Sequence, residues 1–161
     1  MPMKRSTVAV VTGVSTLAAA GVLAALAIPA AVDWFEGRHD EASSYRTAAE
    51  AKADRASFPR WLPDDAAGVE YRMKTTGGDR LVKATLPRQA SAPAALPAGC
   101  APYEPAAGLP APELKADWFP EKAETRATAR CGLFHVFLDG DTLYGWQSHK
   151  DWVADNKAGA K

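Results

Sequence analysis

The sequence predicts an α+β protein: an N-terminal transmembrane helix and a stalk helix, followed by a small antiparallel sheet of two hairpins with one disulfide. Three observations predict it. Residues 8–32 are 25 positions without a charge, two later segments read as strand pairs about glycine-containing turns, and the chain has two cysteines, Cys100 and Cys131.

The uncharged run is the anchor. A helix needs about 20 residues to cross a bilayer core. Lys4 and Arg5 lie before it, and Asp33, Glu36, Asp40 and Glu41 lie after it. That asymmetry puts residues 1–7 in the cytoplasm and the C-terminal domain outside, with Trp34 and Phe35 at the lipid–water boundary. A cleaved signal peptide competes, because Ala25-Leu26-Ala27 has the small-residue spacing that a signal peptidase accepts. Against cleavage, the apolar run continues through Ile28 and Val32, which a mature N-terminus would expose. Both readings export the rest of the chain and place it at the cell membrane or beyond.

With 161 residues there is room for one modest domain after such a segment. Of the apolar residues 34 are alanine, which buries little area, so the few large side chains must carry the packing. Once Lys4 and Arg5 are set apart, residues 33–161 carry 17 basic and 19 acidic side chains, a net of −2. This is no basic footprint, and a nucleic-acid partner is excluded on that ground.

The cysteines fall on the exported side, where pairing is the default. A Cys100–Cys131 bridge closes a loop of about 30 residues and contributes roughly 3–4 kcal/mol in the chain-entropy model. A metal site would need further ligands, and no histidine lies at a recognisable spacing from either cysteine.

Along the exported part, residues 33–57 read as a juxtamembrane helical stalk. Asp40 caps a helix over 40–56 rich in alanine, which Phe58-Pro59 ends. Residues 58–147 read as the β-rich domain. With Gly77-Gly78 as a two-residue turn, Met73 pairs with Val82, Tyr71 with Ala84 and Val69 with Leu86. All six share one face. Glu70, Arg72, Lys74, Lys83 and Thr85 share the other, with Leu81 the misfit. Residues 87–117 are dense in proline and form a connection tethered by Cys100. The second hairpin pairs residues 130–138 with 142–147 across Asp139-Gly140. Its first strand carries apolar residues on both faces, as a covered central strand does. Residues 148–161 read as a polar tail.

A short echo links the halves. Trp61-Leu62-Pro63-Asp64-Asp65-Ala66 precedes the first hairpin, and Trp118-Phe119-Pro120-Glu121-Lys122-Ala123 precedes the second. A duplicated corner-plus-hairpin unit and a chance likeness both remain open. These corners, Val69-Glu70-Tyr71, Leu96-Pro97-Ala98-Gly99-Cys100 and Leu143-Tyr144-Gly145-Trp146 are similar to segments of uncharacterised single-pass envelope proteins of high-GC actinobacteria. That resemblance implies a membrane-tethered exported domain. No activity is attached to those proteins, so it implies no catalytic residue.

Residue patterns that carry chemistry are absent or have plainer explanations. Asp64-Asp65 follows a proline and reads as a turn. Asp139-Gly140-Asp141-Thr142 lacks the further acids and terminal Glu of a calcium loop. His39, His135 and His149 are far apart, with no HExxH, phosphate loop or Gly-x-Ser-x-Gly elbow. We expect no cofactor, no metal and no catalytic residue. Trp61, Trp118 and Trp146 are the candidate ligand-binding residues, as platforms for sugars, although a small alanine-rich domain also needs such rings in its core. The expectation is a non-enzymatic membrane-anchored protein that binds a protein or an envelope component. The alternatives are an accessory subunit recruited through residues 8–32 and a small envelope hydrolase, which would present a pocket with convergent acids or His135.

Overall fold

A computed structural model describes residues 39–88, 92, 94–103 and 108–160. The strands and helices belong to one compact unit, Asp40–Lys161. Its elements in chain order are β1 (Asp40–Thr47), α1 (Ala48–Asp54), β2 (Ala67–Lys74), β3 (Arg80–Thr85), β4 (Cys100–Pro102), a 3-10 turn (Ala123–Thr125), β5 (Ala129–Cys131), β6 (Phe134–Asp139), β7 (Thr142–Gln147) and α2 (His149–Gly159). The strands form a single antiparallel sheet of seven, in the order β1-β2-β3-β7-β6-β5-β4.

The two expected hairpins are the centre of this sheet, joined through β3 and β7. The two edge strands, β1 and β4, were not anticipated, and the first corrects the stalk. Asp40–Thr47 is strand, and only Ala48–Asp54 is helix. Ser43, Ser44 and Thr47 compete with helical hydrogen bonding, and Tyr45 suits a pleated surface. Pairing with β2 then fixes the extended form, with Tyr45 opposite Val69 and its ring edge-on to Phe58 at 6.4 Å. Nor is α1 solvated on every side, although its Ala49 and Ala53 are exposed. Ala48 and Ala51 are fully buried, because a side chain of one carbon lets the helix lie close on the sheet. The domain therefore begins at Asp40 rather than at 58.

The β2–β3 register differs from the expected one by two residues: Tyr71 pairs with Val82 and Met73 with Arg80. The turn is longer than two residues, and the Lys74 N–H donates to the Asp79 carbonyl at 3.0 Å. An even shift keeps every side chain on its face. Val69, Tyr71, Val82, Ala84 and Leu86 are buried together as expected. Leu81, the misfit, is buried too, in a second cluster on the opposite face.

Two further corrections concern the second half. The expected strand 130–138 is broken by a tight turn at Gly132-Leu133, which lets Cys131 pair with Phe134. Gly132 has φ 59°, a left-handed conformation that a side chain resists. The β6–β7 turn is Gly140-Asp141, one residue later than expected, since Asp139 pairs with Thr142. The expected polar tail is α2, capped by Ser148, whose Oγ accepts from Asp151 N–H at 3.1 Å.

The disulfide between Cys100 and Cys131 forms as expected, between directly opposed residues of β4 and β5 whose Cα atoms lie 4.2 Å apart. It ties the proline-rich connection to the sheet's far edge. Residues 8–32, where the membrane anchor is expected, lie outside the described residues. Among the described residues no helix is long and apolar enough to cross a membrane.

Both sheet faces are covered. On the first, Tyr71, Phe58, Leu62, Val69, Val136 and Leu143 pack under α1 and the Trp61-Leu62-Pro63 corner. On the second, Leu81, Phe137 and Trp146 pack under residues 109–127, which contain the Trp118-Phe119-Pro120 corner. The two echoing corners thus lid opposite faces of one sheet.

Candidate cleft beneath the second corner

The three tryptophans do not form one platform. Trp146 is fully buried, and its Nε1–H donates to the Pro110 carbonyl at 2.9 Å. That bond fixes the proline-rich connection to β7. Trp61 packs edge-on against Phe134 at 5.7 Å on the first face. Trp118 stands on the second face, half-buried, with Phe119 edge-on at 5.8 Å. Trp118 lines an open space.

That space is a cleft of about 680 Å³, half open to solvent, between β2 and residues 111–124. Its size lies within the range of small-molecule sites. Leu114 and Ala123 anchor the overlying segment in the second core. Phe119 N–H donates to the Ala116 carbonyl at 2.9 Å, closing the corner. Lys122 adopts the left-handed conformation with φ 54°, a sparsely populated state for a residue with a side chain. Its carbonyl accepts from Thr125 N–H at 3.0 Å and Thr125 Oγ1 at 2.8 Å, which holds the rim in shape.

Arg72 reaches the cleft from β2. Its Nη1 donates to the Lys115 carbonyl at 2.7 Å, and its Nη2 pairs with Asp40 Oδ2 at 3.2 Å. Two anchor points fix the plane of the guanidinium. Its Nε and the second oxygen of Asp40 are buried with no hydrogen-bond partner among the described residues. Around the mouth, Lys115 and Lys122 stand with Asp117, Glu121 and Glu124. The Lys83 ammonium lies 5.7 Å from the centre of the Trp118 ring. Behind Trp118, Phe119 meets Tyr144 at 5.9 Å and Tyr144 stacks on Phe137 at 5.3 Å, so the wall continues into the core.

His135 lies elsewhere on the same face, buried and tilted over Trp146 at 5.1 Å. Its Nε2 contacts Asp151 Oδ2 of α2 at 2.8 Å and its Nδ1 contacts the Tyr103 hydroxyl at 3.1 Å. This Tyr-His-Asp chain has the order of a nucleophile, base and orienting acid. The chemistry is opposed by the setting. Burial pushes the Tyr103 phenol up from its ordinary value, the reverse of what a nucleophile needs, and His135 does not line the cleft. The chain instead fastens α2 to β6 and to the middle of the connection, just after β4.

A second fastening lies at the β2–β3 turn. Gly78 N–H donates to His149 Nδ1 at 3.1 Å, Gln147 Nε2 donates to the Gly78 carbonyl at 2.6 Å, and Asp79 Oδ1 accepts from His149 N–H at 2.8 Å. A Cβ on Gly78 would stand 2.4 Å from Trp152 Cβ, so glycine is required by close approach.

The acidic pairs are structural. Asp64 is bonded to Lys52 at 2.7 Å, Asp139 to Arg126 at 3.0 Å, and Asp141 to Arg88. Among the described residues no group of three His, Cys, Asp or Glu stands close enough to hold a metal ion. The cleft itself was not foreseen from the sequence, which put Arg72 on a wet face. The signal that could have found it is the interleaving of Asp117, Glu121 and Lys122 with Trp118 and Phe119, a pattern unlike a purely buried corner. Comparisons with protein-family models, curated proteins and solved structures find no match.

Proposed function

We propose that this chain is a membrane-anchored extracytoplasmic binding protein of the cell envelope, without catalysis of its own, that takes its ligand in the cleft beneath the Trp118 corner. One observation carries the binding part. On a sheet covered on both faces, an open cleft is walled by half-buried Trp118 and Phe119 and floored by a guanidinium fixed at two points. Pre-positioned aromatic and polar groups lower the ordering cost of binding. The uncharged run 8–32 with Lys4 and Arg5 before it supports the anchor, and the Cys100–Cys131 bridge suits an oxidising compartment. His135 does not favour a hydrolase, since burial raises the Tyr103 phenol beside it and His135 stands outside the cleft.

The test uses the full chain in its native membranes. The intact chain stays in the membrane after alkaline extraction; a soluble species beginning at Ile28 would replace the anchor with a signal peptide. A photoreactive residue placed at exposed Ala111, on the cleft rim, gives a discrete adduct, and one at exposed Asp155 on α2 gives none. Absence of the Ala111 adduct, or equal adducts at both positions, overturns the binding reading.

A further inference from the structure

Resting on that binding reading, we infer that the cleft takes a neutral saccharide. The argument starts from charge. Arg72 is already paired with Asp40, and Lys83 beside Trp118 joins Lys115 and Lys122 against Asp117, Glu121 and Glu124, so the mouth is balanced. A phosphate or polyanion would meet three carboxylates for its three cations, and a polycation would meet the reverse. A purely apolar chain fits no better, because it would strip water from charged groups without bonding them.

A pyranose ring answers both halves of the lining. Its C–H faces are apolar and stack on an aromatic ring, and its equatorial hydroxyls both donate and accept. Trp118 supplies the ring, held in orientation by Phe119 edge-on at 5.8 Å. The Asp117 and Glu121 carboxylates accept from hydroxyls, in charge-assisted bonds stronger than neutral ones. The Arg72 guanidinium lies on the cleft floor as a donor group whose plane is already set by Lys115 and Asp40. A half-open cleft of about 680 Å³ admits a short stretch of glycan rather than one buried sugar.

The experiment titrates the full chain in detergent micelles, reading the Trp118 indole resonance and binding heat. The probes are neutral tetrasaccharides of glucose and of N-acetylglucosamine, tetragalacturonate and inorganic phosphate. A neutral tetrasaccharide shifts Trp118 saturably, with an affinity that salt leaves unchanged because the ligand carries no charge. Trp118→Ala weakens it at least about tenfold, equivalent to ~1.4 kcal/mol. The double variant Asp117→Asn, Glu121→Gln, at two exposed positions that leave the fold intact, weakens it similarly, and Trp152→Ala leaves it unchanged. Tighter binding of tetragalacturonate or phosphate, or no Trp118 shift by ~10 mM of either neutral probe, overturns the saccharide. The two readings fail separately: an Ala111 adduct to a protein discards the saccharide and keeps a binding protein, whereas no adduct discards both.

Discussion

The two faces of this sheet are lidded by similar corners and yet end differently. On the first, Trp61-Leu62-Pro63 and α1 close over Tyr71 and Phe58, whose rings meet edge-on at 5.2 Å, and Leu62 is 1% exposed. On the second, Phe119 takes the place in the corner that Leu62 holds in the first, and it is half-buried beside an open cleft. The difference lies in what stands beside each corner. A helix whose buried residues are alanines, Ala48 and Ala51, can settle flush on a sheet. The proline-rich connection donates few backbone hydrogen bonds and is held at separate points, by Trp146 to Pro110 and Arg72 to Lys115, so it arches between them. Sealing needs small side chains on a regular element; a cleft follows from a tethered irregular one.

The strongest way to break the comparison is to truncate Tyr71. It is 1% exposed, and its hydroxyl donates to the Ser57 carbonyl at 3.1 Å. Tyr71→Ala should cost about 3–5 kcal/mol, as for other buried aromatics. Trp118→Ala, at the half-buried ring of the open face, should cost under about 1.5 kcal/mol. Urea midpoints of the two variants decide it. Equal shifts would mean that the second face is as tightly closed as the first.

Reduction comes next. The Cys100–Cys131 bridge contributes roughly 3–4 kcal/mol by restricting a loop of 31 residues in the unfolded chain. The reduced protein should lose that stability while Tyr71 and Phe58 keep their packing, because the bridge joins the first face's core at the opposite edge of the sheet from β1. Near-ultraviolet circular dichroism of Tyr71 and Phe58, compared in wild type and Phe58→Leu, reports on the first face. Collapse of that signal on reduction, in protein still folded by far-ultraviolet signal, would show the two edges of the first face to be coupled.

Gly78→Ala should have a smaller and more local effect, about 1–3 kcal/mol, since its Cβ overlaps Trp152. Hydrogen exchange should quicken in Trp152 N–H, bonded to the Ser148 carbonyl at 3.1 Å, before it changes in β2 or β3. Simultaneous loss of protection in all three would mean that α2 is part of the cooperative core.

How far the sequence carried the fold follows from where its signals are local. Alternation about Gly77-Gly78 placed Val69, Tyr71, Val82 and Ala84 on one face even though the pairing was two residues out, because face depends on parity and register on turn length. Leu81 was read as a misfit because a second buried face leaves one apolar residue as its only mark on that hairpin. The strand Asp40–Thr47 was hidden, since its alanine-rich continuation favours helix and only pairing with β2 selects the extended form. The cleft was hidden for the same reason: Arg72 and residues 111–124 are brought together by tertiary contacts that no spacing encodes.

The smallest expected effect is alkaline, and it compares the faces through two phenols. Burial pushes both Tyr71 and Tyr103 above the ordinary tyrosine value. A phenol is neutral when protonated, so in the unfolded chain each ionises from about pH 10 while the native protein still holds the proton. The unfolded state then binds fewer protons, and stability falls as pH rises. The contribution is fully present below about pH 10 and is lost as pH climbs toward the native value. At half a unit above pH 10 the loss is below about 1 kcal/mol per phenol. Tyr71→Phe should remove this slope on the sealed face, at a cost near neutrality of about 1 kcal/mol for the bond to Ser57. Tyr103→Phe should flatten the profile less, because Tyr103 is half-buried and its hydroxyl meets His135 rather than the interior of the first core. Urea midpoints from pH 8 to 11 measure both slopes. If Tyr103→Phe flattens the curve as much as Tyr71→Phe, water is excluded equally from the two faces, and the contrast between a sealed face and an open one is lost.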